Sequence, residues 1–254
     1  MDQRLSAVMV ADEAEQTQNS RRGVWIGIAV AIVVVAALAA VSIVGGRGAA
    51  PQAQGPDQDS SATAIQQARL SAARRIPGDP LAMGRPDAPV VLVEWADFQC
   101  PYCAAFTKDT LPTLINQYVK TGKARLEWRD FAFLGKESTS AAIAARAAAR
   151  QGKFWPYHDQ LYTEQHPENS GAVTPAYLVD LAKRLGLDTN RFQSDLADPA
   201  LAKQVAGDES AGSAVGVTGT PTVLVNGQLI SGAEELATYQ RAIDAALAPP
   251  AKSK

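Results

Sequence analysis

Runs of apolar residues alternate with helical patterns in the second half of the chain, and together they predict an α/β fold. Val90–Trp95 is apolar except for Glu94, which predicts a central strand buried on both faces. Residues 101–121 carry apolar side chains at helical spacing, with Pro112 as a predicted kink. Residues 124–133 alternate between polar and apolar side chains and predict a second strand.

The pattern then becomes helical over residues 137–214, which predicts a block of helices inserted before the next strand. Pro221–Val225 is the third predicted strand, and Asn226–Gly227 predicts a hairpin turn into Gln228–Ile230. Residues 233–247 form a closing amphipathic helix. Because two strands joined across a helix form a parallel pair and a hairpin is antiparallel, we predict a mixed sheet flanked by helices.

Residues 24–44 contain no charged side chain and predict a helix of about 31 Å, which is long enough to cross a bilayer. Arg21 and Arg22 precede this segment, whereas Arg47 alone follows it closely. The positive-inside rule therefore predicts a signal-anchor with residues 1–23 in the cytoplasm and the rest outside. A cleaved secretory signal is the alternative, although its apolar region would be unusually long.

The residues after this segment change from linker-like to globular composition. Residues 45–75 are rich in Gly, Ala, Pro, Gln and Ser, which predicts a flexible linker. Residues 76–250 form the predicted exported domain, with the helical insertion at about 137–214. The formal net charge of -2 argues against nucleic-acid binding.

The chain contains two cysteines, Cys100 and Cys103, directly after the first strand. A disulfide between them closes a very short ring and stabilises the fold little, which favours a chemical role. Half a zinc site and a pair without function are the alternatives, but the histidines, His158 and His166, lack the usual ligand spacing. We expect both histidines on the surface of the helical block, as the more common alternative to proton shuttles.

The position of the cysteines at the start of a helix predicts their roles. With Pro101 as the first helical residue, the Cys100 sulfur lies at the positive end of the helix, which stabilises its thiolate. Cys103 lies one turn further on the same face, within the reach of a disulfide. We therefore predict that Cys100 exchanges disulfides with a partner and that Cys103 resolves the mixed disulfide.

Two further positions are candidates. Glu94 falls in a buried strand, where a lone carboxylate has a raised pKa and can exchange a proton with Cys103; a solvated position at the sheet edge is the alternative. Thr220–Pro221 precedes the third strand, and an X-Pro bond there is either an ordinary trans turn or a cis peptide.

These motifs resemble the DsbA-like branch of the thioredoxin superfamily over about residues 76–248. The resemblance rests on Gly84–Val90, Glu94–Cys103, Gly152–His158 and Gly219–Thr222 leading into Asn226–Gly227. It implies a thioredoxin-like fold with the helical insertion as a family trait. It also implies that Pro221 is cis and faces the disulfide, and that Thr220 offers its backbone to an extended substrate segment. Glu94 would be the buried acid beside the resolving cysteine.

One residue pair departs from that family. DsbA has Pro-His between its cysteines, whereas this chain has Pro101 and Tyr102, the pair found in glutaredoxins. Tyrosine cannot carry a positive charge, so we predict a less acidic Cys100 and a weaker oxidant than DsbA.

The resemblance implies a membrane-tethered thiol–disulfide oxidoreductase that oxidises exported, cysteine-containing proteins without a cofactor or metal. A quinone-linked membrane protein of the DsbB or vitamin K epoxide reductase type would reoxidise it. A reductase of the same fold, and a tethered chaperone or copper-binding module, are the alternatives.

Overall fold

The computed structural model describes residues 58–249, within which one mixed five-stranded sheet forms the centre. The strands are β1 (Ala82–Met83), β2 (Val90–Ala96), β3 (Ala124–Asp130), β4 (Thr222–Val225) and β5 (Gln228–Ser231). Their order in the sheet is β1-β3-β2-β4-β5. The central strands β2 and β3 are parallel, and the other neighbours are antiparallel.

Helices cover both faces of this sheet. They are α1 (Gln58–Leu70), α2 (residues 101–119), α3 (Lys136–Ala149), α4 (Phe154–Thr163), α5 (Pro175–Arg184), α6 (Thr189–Leu196), α7 (Pro199–Ala214) and α8 (Leu236–Leu247). The helices α3–α7 follow one another between β3 and β4, at the place where the sequence predicts the insertion. This is the predicted thioredoxin-like α/β arrangement, and that part of the fold prediction is confirmed.

The strand β2 is buried along its whole length, as its apolar run predicts. Side chains of a strand alternate between the two faces of the sheet. Val90 and Leu92 pack with apolar residues of α2 and α8, whereas Val91 and Val93 pack on the opposite face. Glu94, two residues after Leu92, therefore points to the same face as Leu92, towards α2.

The long helix α2 contains two π-helical turns, Phe106–Thr110 and Ile115–Val119. Pro112 has no N–H to donate and its ring displaces the carbonyl four residues earlier, which a widened turn accommodates. The N–H of Leu111 accordingly bonds to the carbonyl of Phe106, five residues back. The irregularity predicted at Pro112 takes this form.

The strand β3 is shorter than predicted, and it is buried along its whole length. It ends at Asp130 rather than residue 133, and its polar side chains are buried as completely as its apolar ones. Glu127 accepts hydrogen bonds from Arg125 (2.8 Å) and Arg129 (2.7 Å), so these charges compensate one another. The alternation therefore reflects an ion-paired face rather than a solvent-exposed one.

The prediction of a flexible linker over residues 45–75 is corrected for its second half. Residues 58–70 form the helix α1, and Ala68 packs against the sheet face that Val91 and Val93 share. Arg69 Nε donates to the Val215 carbonyl at 2.8 Å. Small Ala side chains allow the close approach, so composition that suits a linker also suits a docked helix.

Within residues 58–249, no helix combines the length and apolar character needed to cross a bilayer. The predicted cytoplasmic tail (1–23), the predicted membrane helix (24–44) and the first part of the linker lie outside the described residues. These assignments stay predictions.

Candidate active site

Cys100 is the N-cap residue of α2 and lies just beyond the end of β2. Its extended backbone (φ -71°, ψ 120°) suits a residue that precedes proline, and Pro101 begins the helix. The backbone N–H groups of Tyr102 and Cys103, at the helix N-terminus, stabilise the thiolate of Cys100. The Cys100 sulfur therefore lies at the N-terminus of the helix, as the sequence predicts.

The pKa of Cys100 is lowered from 9.0 to about 6. The largest cause is a hydrogen bond from the thiol of Cys103, and burial opposes the shift. The Thr220 hydroxyl also favours the thiolate, and in the thiol form Cys100 Sγ donates to the Thr220 carbonyl at 3.4 Å. Cys100 is consequently a thiolate at neutral pH, and a thiolate is both a nucleophile and a good leaving group.

Cys103 has the opposite character, because its side chain is fully enclosed. Burial is the main cause that raises the pKa of its thiol well above 9.0, and the neighbouring Cys100 adds to the increase. Cys103 therefore keeps its proton while Cys100 is ionised, and its thiol donates a hydrogen bond to the Cys100 thiolate. This asymmetry fits one exchanging and one resolving sulfur.

Glu94 is completely buried, and neither of its carboxylate oxygens has a hydrogen-bond partner among the described residues. Burial raises its pKa to about 8, so it is mostly protonated at neutral pH. Tyr162 and Tyr239 each lie within electrostatic reach of both Glu94 and Cys103. Glu94 thus occupies the interior around the buried sulfur, and the alternative of a solvated edge position is excluded.

The Thr220–Pro221 peptide bond is cis. Since β4 runs antiparallel to β2, the residues that precede β4 lie at the same end of the sheet as Cys100. The hydrogen bond between Cys100 and Thr220 joins the two segments directly. The structure therefore brings together two motifs that are 120 residues apart in sequence.

Tyr102 is 66% exposed beside this site, so an aromatic ring is offered to solvent next to the reactive sulfur. Phe133, three residues after β3, is 45% exposed, and its ring packs at a tilt against that of Phe131. It follows a strand parallel to β2, so it belongs to the same end of the sheet. The sequence analysis missed Phe133, because an apolar residue at a strand end normally predicts burial.

The histidine expectation is wrong for His158. Its side chain is fully buried among aromatic rings, including Trp128 at 4.8 Å and Tyr162 at 5.0 Å between ring centres. Its Nδ1 lies 2.8 Å from Asp159 Oδ1, and burial is the main cause that lowers its pKa. His166 is half-buried and packs against Tyr177.

Side chains of the inserted helices bind the loop that carries Cys100, and the sequence analysis missed them as well. Tyr162 Oη donates to the Asp97 carbonyl at 3.1 Å. Gln165 Nε2 donates to the carbonyls of Phe98 at 2.9 Å and Cys100 at 3.0 Å. No sequence signal identifies such contacts, because they join segments more than 60 residues apart.

A family model described as Thioredoxin matches residues 77–245. The chain is 32% identical over 167 residues to a probable disulfide bond formation protein D of Bacillus cereus, covering 64% of this chain and 76% of that protein. It is 37% identical over 167 residues to an Na(+)/H(+) antiporter, NhaA 3, of Salinispora tropica, but this match spans only 24% of the antiporter.

Among solved structures, oxidised BdbD of Bacillus subtilis superposes with a TM-score of 0.62 at 28% sequence identity. That match covers 66% of this chain and 92% of BdbD. The order of strands, the paired cysteines at a helix start and these relatives agree with one another. The chain belongs to the thioredoxin family, and within it to the DsbA-like thiol–disulfide oxidoreductases.

Proposed function

We propose that this oxidoreductase is tethered to the cell membrane and forms disulfides in exported proteins through a Cys100–Cys103 disulfide. The observation that supports this proposal most strongly is the difference in acidity between the two thiols. With a pKa of about 6, Cys100 is stable as a thiolate once reduced, and this stability favours transfer of the disulfide to a client protein.

The reaction has two exchange steps. A client thiolate attacks Cys100 Sγ, the Cys100–Cys103 bond breaks, and Cys103 leaves with the bonding electrons. Glu94, protonated at neutral pH, is the proton donor to the departing Cys103 sulfur. A second client thiolate then attacks the client sulfur bound to Cys100, which forms the client disulfide and releases Cys100 as a thiolate. Two electrons pass from the client to the enzyme.

The surroundings of Cys100 supply a place for an extended client segment. Thr220 lies beside the sulfur, two residues before β4, and we propose that its backbone pairs with the client segment strand to strand. The exposed rings of Tyr102 and Phe133 offer apolar contact to the side chains of an unfolded client. Pro101, at the start of α2, and Pro221, just before β4, would shape the backbone on either side of Cys100.

The enzyme must pass its two electrons on before the next cycle. We propose a reoxidant within the membrane, of the DsbB or vitamin K epoxide reductase type, with the catalytic domain outside the cytoplasm and the N-terminus inside. The apolar segment 24–44 and the arginines before it support this arrangement. Paired cysteines that work as a disulfide also suit an oxidising compartment.

The decisive variant is Cys103→Ala, expressed as the full chain in cells. Without the resolving thiol, Cys100 should accumulate mixed disulfides with exported proteins, seen as reducible high-mass bands. Cys100→Ala is the matched control and should form none. Absence of adducts in Cys103→Ala would refute the enzymatic proposal and favour a chaperone or copper-binding role.

The direction of electron flow needs a second measurement. Trapping of thiols in intact cells should find the wild-type pair mostly as a disulfide, whereas a mostly reduced pair would favour a reductase. The reduction potential should also fall below the DsbA value of about -120 mV, because Tyr102 cannot stabilise the Cys100 thiolate as a charged group would. A potential at or above that value would contradict the comparison with DsbA.

A further inference from the structure

The loop between β2 and α2 is held by hydrogen bonds from the inserted helical block. Gln165, just after α4, uses its single amide nitrogen to donate to two loop carbonyls, those of Phe98 (2.9 Å) and Cys100 (3.0 Å). The residue is half-buried, so these bonds are partly shielded from water. One side chain therefore fixes two peptide planes of the loop, the one between Phe98 and Gln99 and the one between Cys100 and Pro101.

The carbonyl of Cys100 has a direct geometric link to the reactive sulfur. Rotation about the Cα–C bond of Cys100 moves this carbonyl and, with it, the direction in which α2 leaves the residue. The N–H groups of Tyr102 and Cys103, which stabilise the thiolate, move in the same rotation. A bond that holds the carbonyl consequently holds the sulfur in place against its hydrogen-bond donors.

We infer that Gln165 is a positioning residue that keeps Cys100 acidic, so that the inserted block sets the reactivity of the thioredoxin-like site. The carbonyl of Cys100 also accepts from the helix N–H of Ala104 at 3.2 Å, which fixes it from the helix side. Gln165 fixes it from the other side. The inference rests on the proposed role of Cys100 as the sulfur that exchanges with clients.

Other bonds between the block and this loop act on different atoms. Gln99 Nε2 donates to Ser138 Oγ at 2.7 Å, and Gln99 Oε1 accepts from the Asn169 N–H at 2.7 Å. These bonds hold a side chain of the loop and leave the Cys100 carbonyl untouched. Among the residues of the inserted block that bind this loop, Gln165 is therefore the one whose removal should alter the acidity of Cys100 most directly.

The test compares the full chain carrying Gln165→Met or Gln165→Glu with the wild type. Methionine has similar length but no donor, and glutamate places a carboxylate against two carbonyl oxygens. The pKa of Cys100, followed by the ultraviolet absorbance of its thiolate, should rise in the order wild type, Met, Glu. Loss of a hydrogen bond of ordinary strength predicts about two- to tenfold less thiolate at a pH below the wild-type pKa.

Gln160→Met is the matched control. Gln160 lies on α4 and its Nε2 donates to Glu164 Oε1 at 2.6 Å, away from the loop. Its substitution should leave the Cys100 titration unchanged. If Gln165→Met lowers the melting temperature but titrates as the wild type, Gln165 is merely structural and the inference is refuted.

This readout is independent of client proteins. Failure of Cys103→Ala to form adducts would count against the proposed function, whereas an unchanged Cys100 titration in Gln165→Met would count against the positioning role alone. The two failures are therefore distinguishable.

Discussion

At the scale of single residues, two sulfur atoms one helical turn apart differ in acidity because they differ in burial and in hydrogen bonding. Cys103 gives a hydrogen bond and Cys100 receives it. The acidity of Cys100 thus depends on Cys103, and Cys103 keeps its own proton because it is buried. This dependence can be separated from the proposed resolving role of Cys103 by a pair of substitutions.

Cys103→Ser keeps a hydroxyl donor at this position, whereas Cys103→Ala removes it. We expect the pKa of Cys100 to stay near 6 in the serine variant. In the alanine variant it should rise by about one to two pH units, the value of a hydrogen bond to a charged group. Titration of the thiolate absorbance measures both, and equal values for the two variants would contradict the assignment of the main cause.

Glu94 links the pH to the stability of the fold. Its pKa is raised from 4.5 to about 8 by burial, so the folded protein holds a proton that the unfolded chain releases above pH 4.5. The stability is therefore highest below that pH, falls as the pH rises through about 8, and then levels off. At neutral pH the loss is on the order of 3 kcal/mol.

Glu94→Gln should remove this dependence, because the amide has similar shape and cannot ionise. Urea unfolding at pH values on both sides of the raised pKa should show a flatter profile and greater stability at alkaline pH than in the wild type. A variant with the same pH profile as the wild type would mean that Glu94 is ionised without penalty. The substitution should also slow the release of Cys103, since glutamine donates no proton.

At the scale of elements, α7 packs against the central strands through a glycine. A Cβ at Gly212 would lie 2.8 Å from Trp95 Cδ1 and 3.1 Å from Phe131 Cδ2. Trp95 is next to Glu94 in β2, so close contact here holds the helical block against the strand that leads to the active site. Gly207, on the same helix, has no neighbour within 4 Å of such a Cβ.

Gly212→Ala should therefore destabilise the fold by about 1–3 kcal/mol through overpacking. Gly207→Ala should be neutral or stabilise it by up to about 1 kcal/mol, because alanine is the better helix former. Chemical denaturation of both variants gives the comparison. Equal effects would show that the helix propensity, rather than the contact with Trp95, determines the outcome.

Elements with local signals could be predicted from the sequence. The turn at Asn226–Gly227 has positive φ at both residues, as a two-residue hairpin requires. Pro112 predicts an irregularity in α2, which takes the form of the π-helical turn Phe106–Thr110. Each of these signals is contained within a few consecutive residues.

Features that depend on distant contacts could not be predicted. The strand β1 has two residues and is defined by its pairing with β3. The helix α1 has the composition of a linker, and its docking includes contacts with distant residues such as Val215. The sequence of α4 does not show that Phe98 and Trp128, from other segments, enclose His158. The same holds for Gln165 in the site, whereas the cysteines and Pro221 belong to recognisable motifs.

At the scale of the whole molecule, a buried arginine joins three elements. Arg146 of α3 forms ion pairs with Asp130 at the end of β3 and with Asp208 of α7. Its side chain is 8% exposed and the aspartates at most 2%. The sheet and the inserted block thus share a charge network and should unfold together.

Arg146→Leu should cost about 3–5 kcal/mol, because it removes the ion-pair partner of the buried Asp130 and leaves Asp208 paired with Arg74 alone. Arg150→Leu is the control one turn later, at the C-cap of α3, where the arginine pairs with Asp195 and Asp198 near the surface. Its loss should cost about 1 kcal/mol or less. Similar losses in both variants, measured by thermal and urea unfolding, would contradict a cohesive role for the buried network.

The complete burial of Cys103 also determines which sulfur of the reduced enzyme reacts with peroxide. Cys100 is ionised and 5% exposed, whereas Cys103 keeps its proton and is 0% exposed, so Cys100 is the sulfur that is converted to the sulfenic acid. The neighbouring thiol then displaces water from that group and restores the disulfide, which is the working form of an oxidase. Peroxide would in this way reoxidise the enzyme to its disulfide form instead of inactivating it.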